Sequence, residues 1–92
     1  MVKLNLGALP FVSMSLADVL NIDRQGLYLA QGSSGNPICA NKPSDGDWYY
    51  MVSVKTHNAS RFMLFAIKTD VTKIYGTILN TKGTEVTWNP LL

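Results

Sequence analysis

The chain has 92 residues, of which 47% are hydrophobic and 15% are charged, and its formal net charge is +2. A chain of this length forms one small domain, and its hydrophobic content excludes intrinsic disorder. The fraction of charged residues lies well below the about 25% of typical domains, which favours burial of apolar surface between subunits. The basic residues are spread singly, so nucleic-acid binding is not predicted. Membrane insertion is not predicted either, because no apolar stretch approaches the ~18 residues of a span.

The first third of the chain predicts an arm, a short helix and a strand. Val2, Leu4 and Leu6 alternate with Lys3 and Asn5, which predicts a short strand or extended arm. Gly7 and Pro10 end it. Ser15 with Asp18 resembles a capping box and predicts a helix of one or two turns over Leu16 to Leu20. A turn then ends at Gly26, and a short strand follows.

The middle of the chain, Gln31 to Asp47, is rich in glycine, proline, serine, asparagine and aspartate and predicts a long loop. Ile38-Cys39-Ala40 within it predicts an apolar plug that holds the loop down. Cys39 is the single cysteine and cannot form an intrachain disulfide. We expect a free, buried thiol and no disulfide contribution to stability.

The clearest feature of the sequence is the stretch from Trp48 to Ile67. Two runs of alternating aromatic and β-branched residues predict two strands, and the break at Asn58-Ala59-Ser60 predicts the hairpin loop between them. Trp48 and Tyr50 begin one face of the first strand, and Tyr49 begins the other. Both faces carry apolar residues, so each must be covered; we expect a neighbouring copy of the chain to supply part of that cover.

The last third of the chain predicts a second hairpin. Thr69 to Lys73 is a connector, Ile74 to Leu79 a strand, and Asn80 to Gly83 a tight turn. Glu85 to Trp88 predicts the closing strand, which Asn89-Pro90 stops. The predicted fold is mainly β: a small antiparallel β-sandwich or knob built from hairpins, with one short N-terminal helix, as a single domain over residues 1–92 (arm 1–12, knob 13–92).

The sequence carries no motif for catalysis, a metal or a cofactor. His57 is the single histidine, and the other residue types of a catalytic triad, Ser60 or Cys39 with Asp70, lie in no recognisable motif. One histidine and one cysteine are too few for a zinc site within one chain. We therefore predict no enzyme activity, no metal and no cofactor. The aromatic residues have two interpretations: sugar-stacking rings or, for most of them, core.

The order of short sequence features from Leu16 onward resembles that of the knob domain at the tips of phage tail fibres and R-type pyocin fibres. The pattern has a leading helix, a glycine-aromatic strand, a proline loop, a tryptophan-led strand followed by histidine, an Ile-Tyr pair and a terminal Trp-x-x-Leu. The matching positions are Leu20, Gly26, Tyr28, Pro37, Trp48, Val52, Val54, His57, Ile74, Tyr75, Trp88 and Leu91. Members often carry an arginine after the Ile-Tyr pair and another tryptophan in the last turn, where this chain has Gly76-Thr77 and Thr84-Glu85.

The resemblance implies a structural protein of a bacteriophage virion, located on the head or the tail as a fibre knob or decoration protein. It implies a homotrimer that contacts other virion proteins, such as the capsid or tail, and a glycan or protein of the host surface. Two alternatives stay open: a purely architectural decoration protein with no host ligand, and a cellular carbohydrate-binding module.

Binding residues concentrate on loops held by rigid elements, so the loop from Gln31 to Asp47 and the hairpin tip are the candidate contact regions. His57 and Arg61 flank the tip and are predicted to point polar groups outward. Tyr49 alternates onto the same strand face as His57 and is predicted to offer a stacking ring. Tyr49, His57 and Arg61 are the predicted receptor contacts.

Overall fold

The computed structural model describes residues 11–13 as backbone, and residues 16–58 and 60–92 with their side chains. The predicted arm therefore lies almost wholly outside the described residues. The elements in chain order are β1 (Phe11–Ser13), a 3-10 turn (Val19–Asn21), β2 (Gly26–Ala30), β3 (Tyr49–Lys55), β4 (Arg61–Lys68), β5 (Ile74–Asn80) and β6 (Asn89–Pro90).

The strands form one sheet in which their order in space follows their order in the chain. β2 to β6 are antiparallel neighbours, whereas β1 runs parallel to β2. The predicted hairpin is present as β3 and β4, and the expectation of a mainly β fold is confirmed. A second sheet, as a sandwich requires, is not found among the described residues.

The face of the sheet that the chain itself covers is called the inner face. Its buried side chains are Tyr28, Ala30, Tyr49, Met51, Ser53, Phe62, Leu64, Ala66 and Leu79. The cover comes from Leu16, Val19 and Ile22 and from Cys39 in the long loop, all buried, with Val86 and Trp88 packed against them from the C-terminal segment. The core therefore lies between a sheet and a layer of irregular chain.

The predicted N-terminal helix is wrong in type and in position. Of its five residues, Leu16 to Asp18 are not helical, and a single 3-10 turn spans Val19–Asn21. Asp18 caps this turn, because its carboxylate accepts a hydrogen bond from the Leu20 N–H at 2.9 Å. Ser15, the other half of the predicted capping box, lies outside the described residues. An apolar run this short does not repay the cost of nucleating an α-helix, and packing onto the sheet fixes its shape instead.

The long loop is fixed to the 16–22 segment by backbone hydrogen bonds. Ala40 donates to the Ala17 carbonyl at 3.0 Å and accepts from the Val19 N–H at 3.1 Å. Cys39 is a free, fully buried cysteine. Burial raises the pKa of its thiol to about 11; the charge of Lys42 lowers this pKa, and the charge of Asp18 raises it further. Ile38 is 49% exposed and Ala40 is exposed, so the predicted three-residue plug is Cys39 alone.

The predicted closing strand is displaced along the chain. Residues 85–88 are not a strand; instead Trp88 packs on the core and its indole N–H donates to the Asn41 carbonyl at 2.7 Å. The two residues that were predicted to stop the strand, Asn89 and Pro90, form β6 and pair with Gly76 and Tyr75. The C-terminal segment covers the sheet first and joins it only at its end.

Two serines near the core differ in how their hydroxyls are satisfied. The Ser53 hydroxyl is fully buried and has no hydrogen-bond partner among the described residues. The Ser44 hydroxyl donates to the Asp47 carboxylate at 2.6 Å and lies 2.8 Å from the Tyr49 hydroxyl. We expect Ser53→Ala to raise the free energy of unfolding by about 1 kcal/mol and Ser44→Ala to lower it by about 1 kcal/mol. Urea unfolding of both variants checks this, and a loss of stability in Ser53→Ala would contradict it.

Candidate functional site

The second face of the sheet, called the outer face, is apolar across four strands. The strand registers place ten apolar side chains on it, with Arg61 and Asn80 beyond them at the hairpin-tip end: Leu27, Leu29, Tyr50, Val52, Val54, Met63, Phe65, Ile67, Ile74 and Ile78. All of them keep solvent exposure, which reaches 43% for Tyr50 and 54% for Ile78. The Leu91 side chain covers the outer face at Gly76, because a Cβ atom on Gly76 would lie 2.9 Å from the Cδ1 atom of Leu91.

An open depression of about 400 Å³ lies where the outer face meets the β3–β4 hairpin tip. Its lining consists of Thr56, His57, Arg61, Met63 and Ile78. Arg61 and Met63 lie on β4 and Ile78 lies on β5, directly opposite Met63 in the register. The depression therefore joins two apolar side chains of the outer face to the polar residues of the hairpin tip.

Local hydrogen bonds fix the shape of the hairpin tip. The Thr56 hydroxyl contacts the carbonyls of Asn58 and Arg61, both at 3.1 Å. The Asn58 side-chain oxygen accepts from the backbone N–H and the hydroxyl of Ser60, at 3.0 and 2.8 Å. The turn that follows β5 is hydrogen-bonded to the hairpin tip, because the Thr81 N–H donates to the Ser60 carbonyl at 2.9 Å. His57 and Arg61 therefore flank a turn that is held by local hydrogen bonds.

Two of the three predicted contact residues come together, and the third does not. His57 and Arg61 are exposed and line the same depression. Tyr49 is 1% exposed; its ring packs edge-on against Tyr75 at 6.1 Å and 71°, and burial raises the pKa of its hydroxyl. The prediction of an exposed Tyr49 ring is wrong, because the face that it occupies is the inner face. The exposed tyrosine of this strand is Tyr50.

Charge is distributed unevenly between the two ends of the sheet. Lys55, Arg61 and Lys82 are exposed at the hairpin-tip end, and within residues 16–58 and 60–92 none of them forms an ion pair. At the opposite end, Lys68 lies 3.7 Å from Asp47 and 3.8 Å from Asp70. Hydrogen bonds from Thr72, together with Lys68, lower the pKa of Asp70. The hairpin-tip end thus presents three cations without ion pairs among the described residues, whereas at the other end Lys68 is matched by two carboxylates and Lys73 is exposed.

The sequence interpretation missed Met63, Ile78 and Lys82 as parts of this site. Met63 and Ile78 are far apart in the chain, and only the β4–β5 register brings them together. Lys82 reaches the same end because its turn is bonded to Ser60. The available signal was the tight turn predicted at Asn80 to Gly83, since a hairpin partner of β4 must place that turn beside the start of β4.

The residue types of a triad are not brought together. Cys39 lies in the core, and His57 and Asp70 lie beyond opposite ends of β4, a strand length of roughly 25 Å apart. Across the described ranges, no three histidine, cysteine, aspartate or glutamate side chains group as a metal ion would need. None of the described helical segments has the length and apolar character to span a membrane.

Comparisons of the chain with protein-family models, with curated proteins and with solved structures give no match.

Proposed function

We propose that the chain is a non-enzymatic structural domain of a bacteriophage virion, a knob-like fibre or decoration protein that assembles as a homotrimer and contacts the host surface. The observation that carries the assembly is the open, apolar outer face. The assignment to a virion, on the head or the tail, rests on the resemblance to the fibre-knob pattern, whose matching positions run in order from Leu20 to Leu91. The presentation of His57 and Arg61 at the hairpin tip supports the surface contact.

The size of the outer face suits a second copy of the chain as its occupant. Four strands of about seven residues cover roughly 450 Å² in projection, before the relief of the side chains is counted. Two such faces in contact bury roughly 1,000 Å² or more, the size that a specific interface needs. The ten side chains also lack charge, as the buried centre of an interface does.

A closed trimer places the three outer faces toward one axis. Each inner face then remains covered by its own loops. Each outer face is covered by its neighbours except at its hairpin-tip end, where Met63 and Ile78 line the depression. The sheets would stack across the axis, which gives the layered β arrangement of the predicted sandwich or knob. The three hairpin tips would lie at one end of the assembly.

Assembly is tested with two variants: one places a glutamate on the outer face, and the control places a glutamate at an exposed position elsewhere. Val52 lies on β3 between Leu27 and Phe65, whereas Val71 is 63% exposed in the β4–β5 connection. Light scattering is expected to give three times the chain mass of 10.1 kDa for the natural protein and for Val71→Glu, and a folded monomer for Val52→Glu. A natural protein that stays monomeric at micromolar concentration would overturn the assembly.

Host contact is tested separately with His57→Ala combined with Arg61→Ala. Exposed polar substitutions usually cost under about 0.5 kcal/mol, so this double variant should keep its mass and fold. It is expected to adsorb less to host cells, measured with labelled protein. If the natural protein binds no host surface extract but is found in purified particles, the architectural role without a host ligand replaces the proposal.

A further inference from the structure

The hairpin-tip end of the sheet carries more positive charge than its surroundings balance. Lys55 ends β3, Arg61 begins β4, and Lys82 lies in the turn bonded to Ser60. The described residues offer none of the three a carboxylate partner; Asp23 at the same end lies 3.4 Å from Arg24. An anionic ligand that approaches this end would therefore meet several free cations.

The depression brings apolar side chains beside these cations. Arg61 and His57 line it, and their guanidinium and imidazole groups make no hydrogen bond to described residues; Met63 and Ile78 line it as well. A guanidinium offers paired N–H groups that match a carboxylate or a phosphate. The arrangement thus suits an anionic group attached to a compact body with an apolar side, such as a sugar ring.

We propose that this depression binds the acidic residue of a surface glycan, a sugar that bears a carboxylate or a phosphate. Arg61 and His57 hold the anionic group, Met63 and Ile78 contact the apolar face of the ring, and Lys55 and Lys82 attract neighbouring anionic groups of the polymer. This inference rests on the proposed host-surface contact and names the class of its ligand.

Two other ligand classes fit the depression less well. Neutral sugars and single-stranded nucleic acids are commonly held by stacking on large aromatic rings, and the lining of the depression contains no phenylalanine, tyrosine or tryptophan. The cations are also few for a nucleic-acid backbone, which recruits an extended basic groove. In a trimer the site repeats three times, so a weak contact with each acidic sugar becomes useful through avidity.

The experiment is a titration of the ¹⁵N-labelled full chain with sodium glucuronate, inorganic phosphate and glucose, followed by amide chemical shifts. Glucuronate, phosphate or both are expected to shift the amides of residues 56–57, 61–63 and 78, and glucose is not. Arg61→Gln should weaken anion binding about tenfold or more. Lys73→Gln, which removes an exposed lysine beyond the opposite end of the sheet, should leave it unchanged.

Several outcomes would overturn the inference. Equal shifts with glucose would assign a neutral glycan to the site, and equal weakening by Lys73→Gln would reduce the effect to overall charge. The absence of shifts with both anions would remove the site altogether. None of these results decides the proposed function, because assembly is measured by light scattering and host contact by the adsorption of labelled protein to host cells. A response to only one anion would identify the acidic group and support the inference.

Discussion

Replacement of Gly32 by alanine is expected to lower the free energy of unfolding by about 2–3 kcal/mol, and the melting temperature by roughly 10–20 °C. A Cβ at this position would lie 2.6 Å from the Gly46 carbonyl oxygen and 2.7 Å from the backbone carbon of Asp47 and from the Trp48 ring. Two of these atoms are backbone and cannot rotate away, so the two ends of the long loop must separate. Urea and thermal unfolding measure the loss.

Gly46 provides the matched control for this substitution. It lies in the same loop, but a Cβ built there meets no atom within 4 Å. The Gly46→Ala variant should therefore differ from the natural protein by less than about 0.5 kcal/mol. Equal stabilities of the two alanine variants would show that the approach of Gly32 to the 46–48 backbone does not hold the loop.

Replacement of Leu64 by alanine is expected to cost about 2–5 kcal/mol. Leu64 is fully buried on β4, the strand that lies between β3 and β5 on the inner face. A small domain has only about 5–15 kcal/mol of stability in total, so the loss is a large part of it. The midpoint of urea unfolding should fall accordingly.

Leu92→Ala repeats the same chemical change at an exposed position. The Leu92 side chain is 67% exposed, and its backbone hydrogen bond to the Ile74 carbonyl survives the substitution. We expect this variant to unfold at nearly the natural urea concentration. A cost for Leu64→Ala no larger than for Leu92→Ala would contradict the placement of the core on the inner face.

The strands that could be predicted are those specified by local pattern. Alternation and β-branched content located β3, β4 and β5 to within a residue or two, since each strand carries its own apolar face. The tight turn before Gly83 was also local, and the Gly83 N–H donates to the Asn80 carbonyl at 2.7 Å. These signals need no information about distant parts of the chain.

The assignment of the two faces could not be made from the sequence. Both faces of β3 are apolar, and the choice between them depends on which side the 16–22 segment and the C-terminal segment cover. Tyr49 was therefore predicted to be an exposed ring, although it packs against Tyr75 in the core. The candidate site could be predicted only in part. His57 and Arg61 flank a local turn, whereas Ile78 lies there because β5 pairs with β4.

The segments that were misplaced are those whose shape depends on non-local contacts. Leu16 to Leu20 reads as a helix, but its conformation follows from packing on the sheet and from Asp18 capping a single turn. Trp88 reads as a strand residue, but its indole bonds to Asn41, 47 residues earlier in the chain. Local propensity is overridden where one large side chain finds its partner across the fold.

The two edges of the sheet bear on how far the protein can polymerise. The outermost strands are short: β1 has three residues, and β6 has two, one of which is Pro90, which has no backbone N–H to offer. Short edges and proline are the features by which β proteins prevent edge-to-edge growth into fibrils. Association through a sheet face, in contrast, saturates once the faces are covered. A protein built in this way can be highly concentrated on a surface and still form assemblies of finite size.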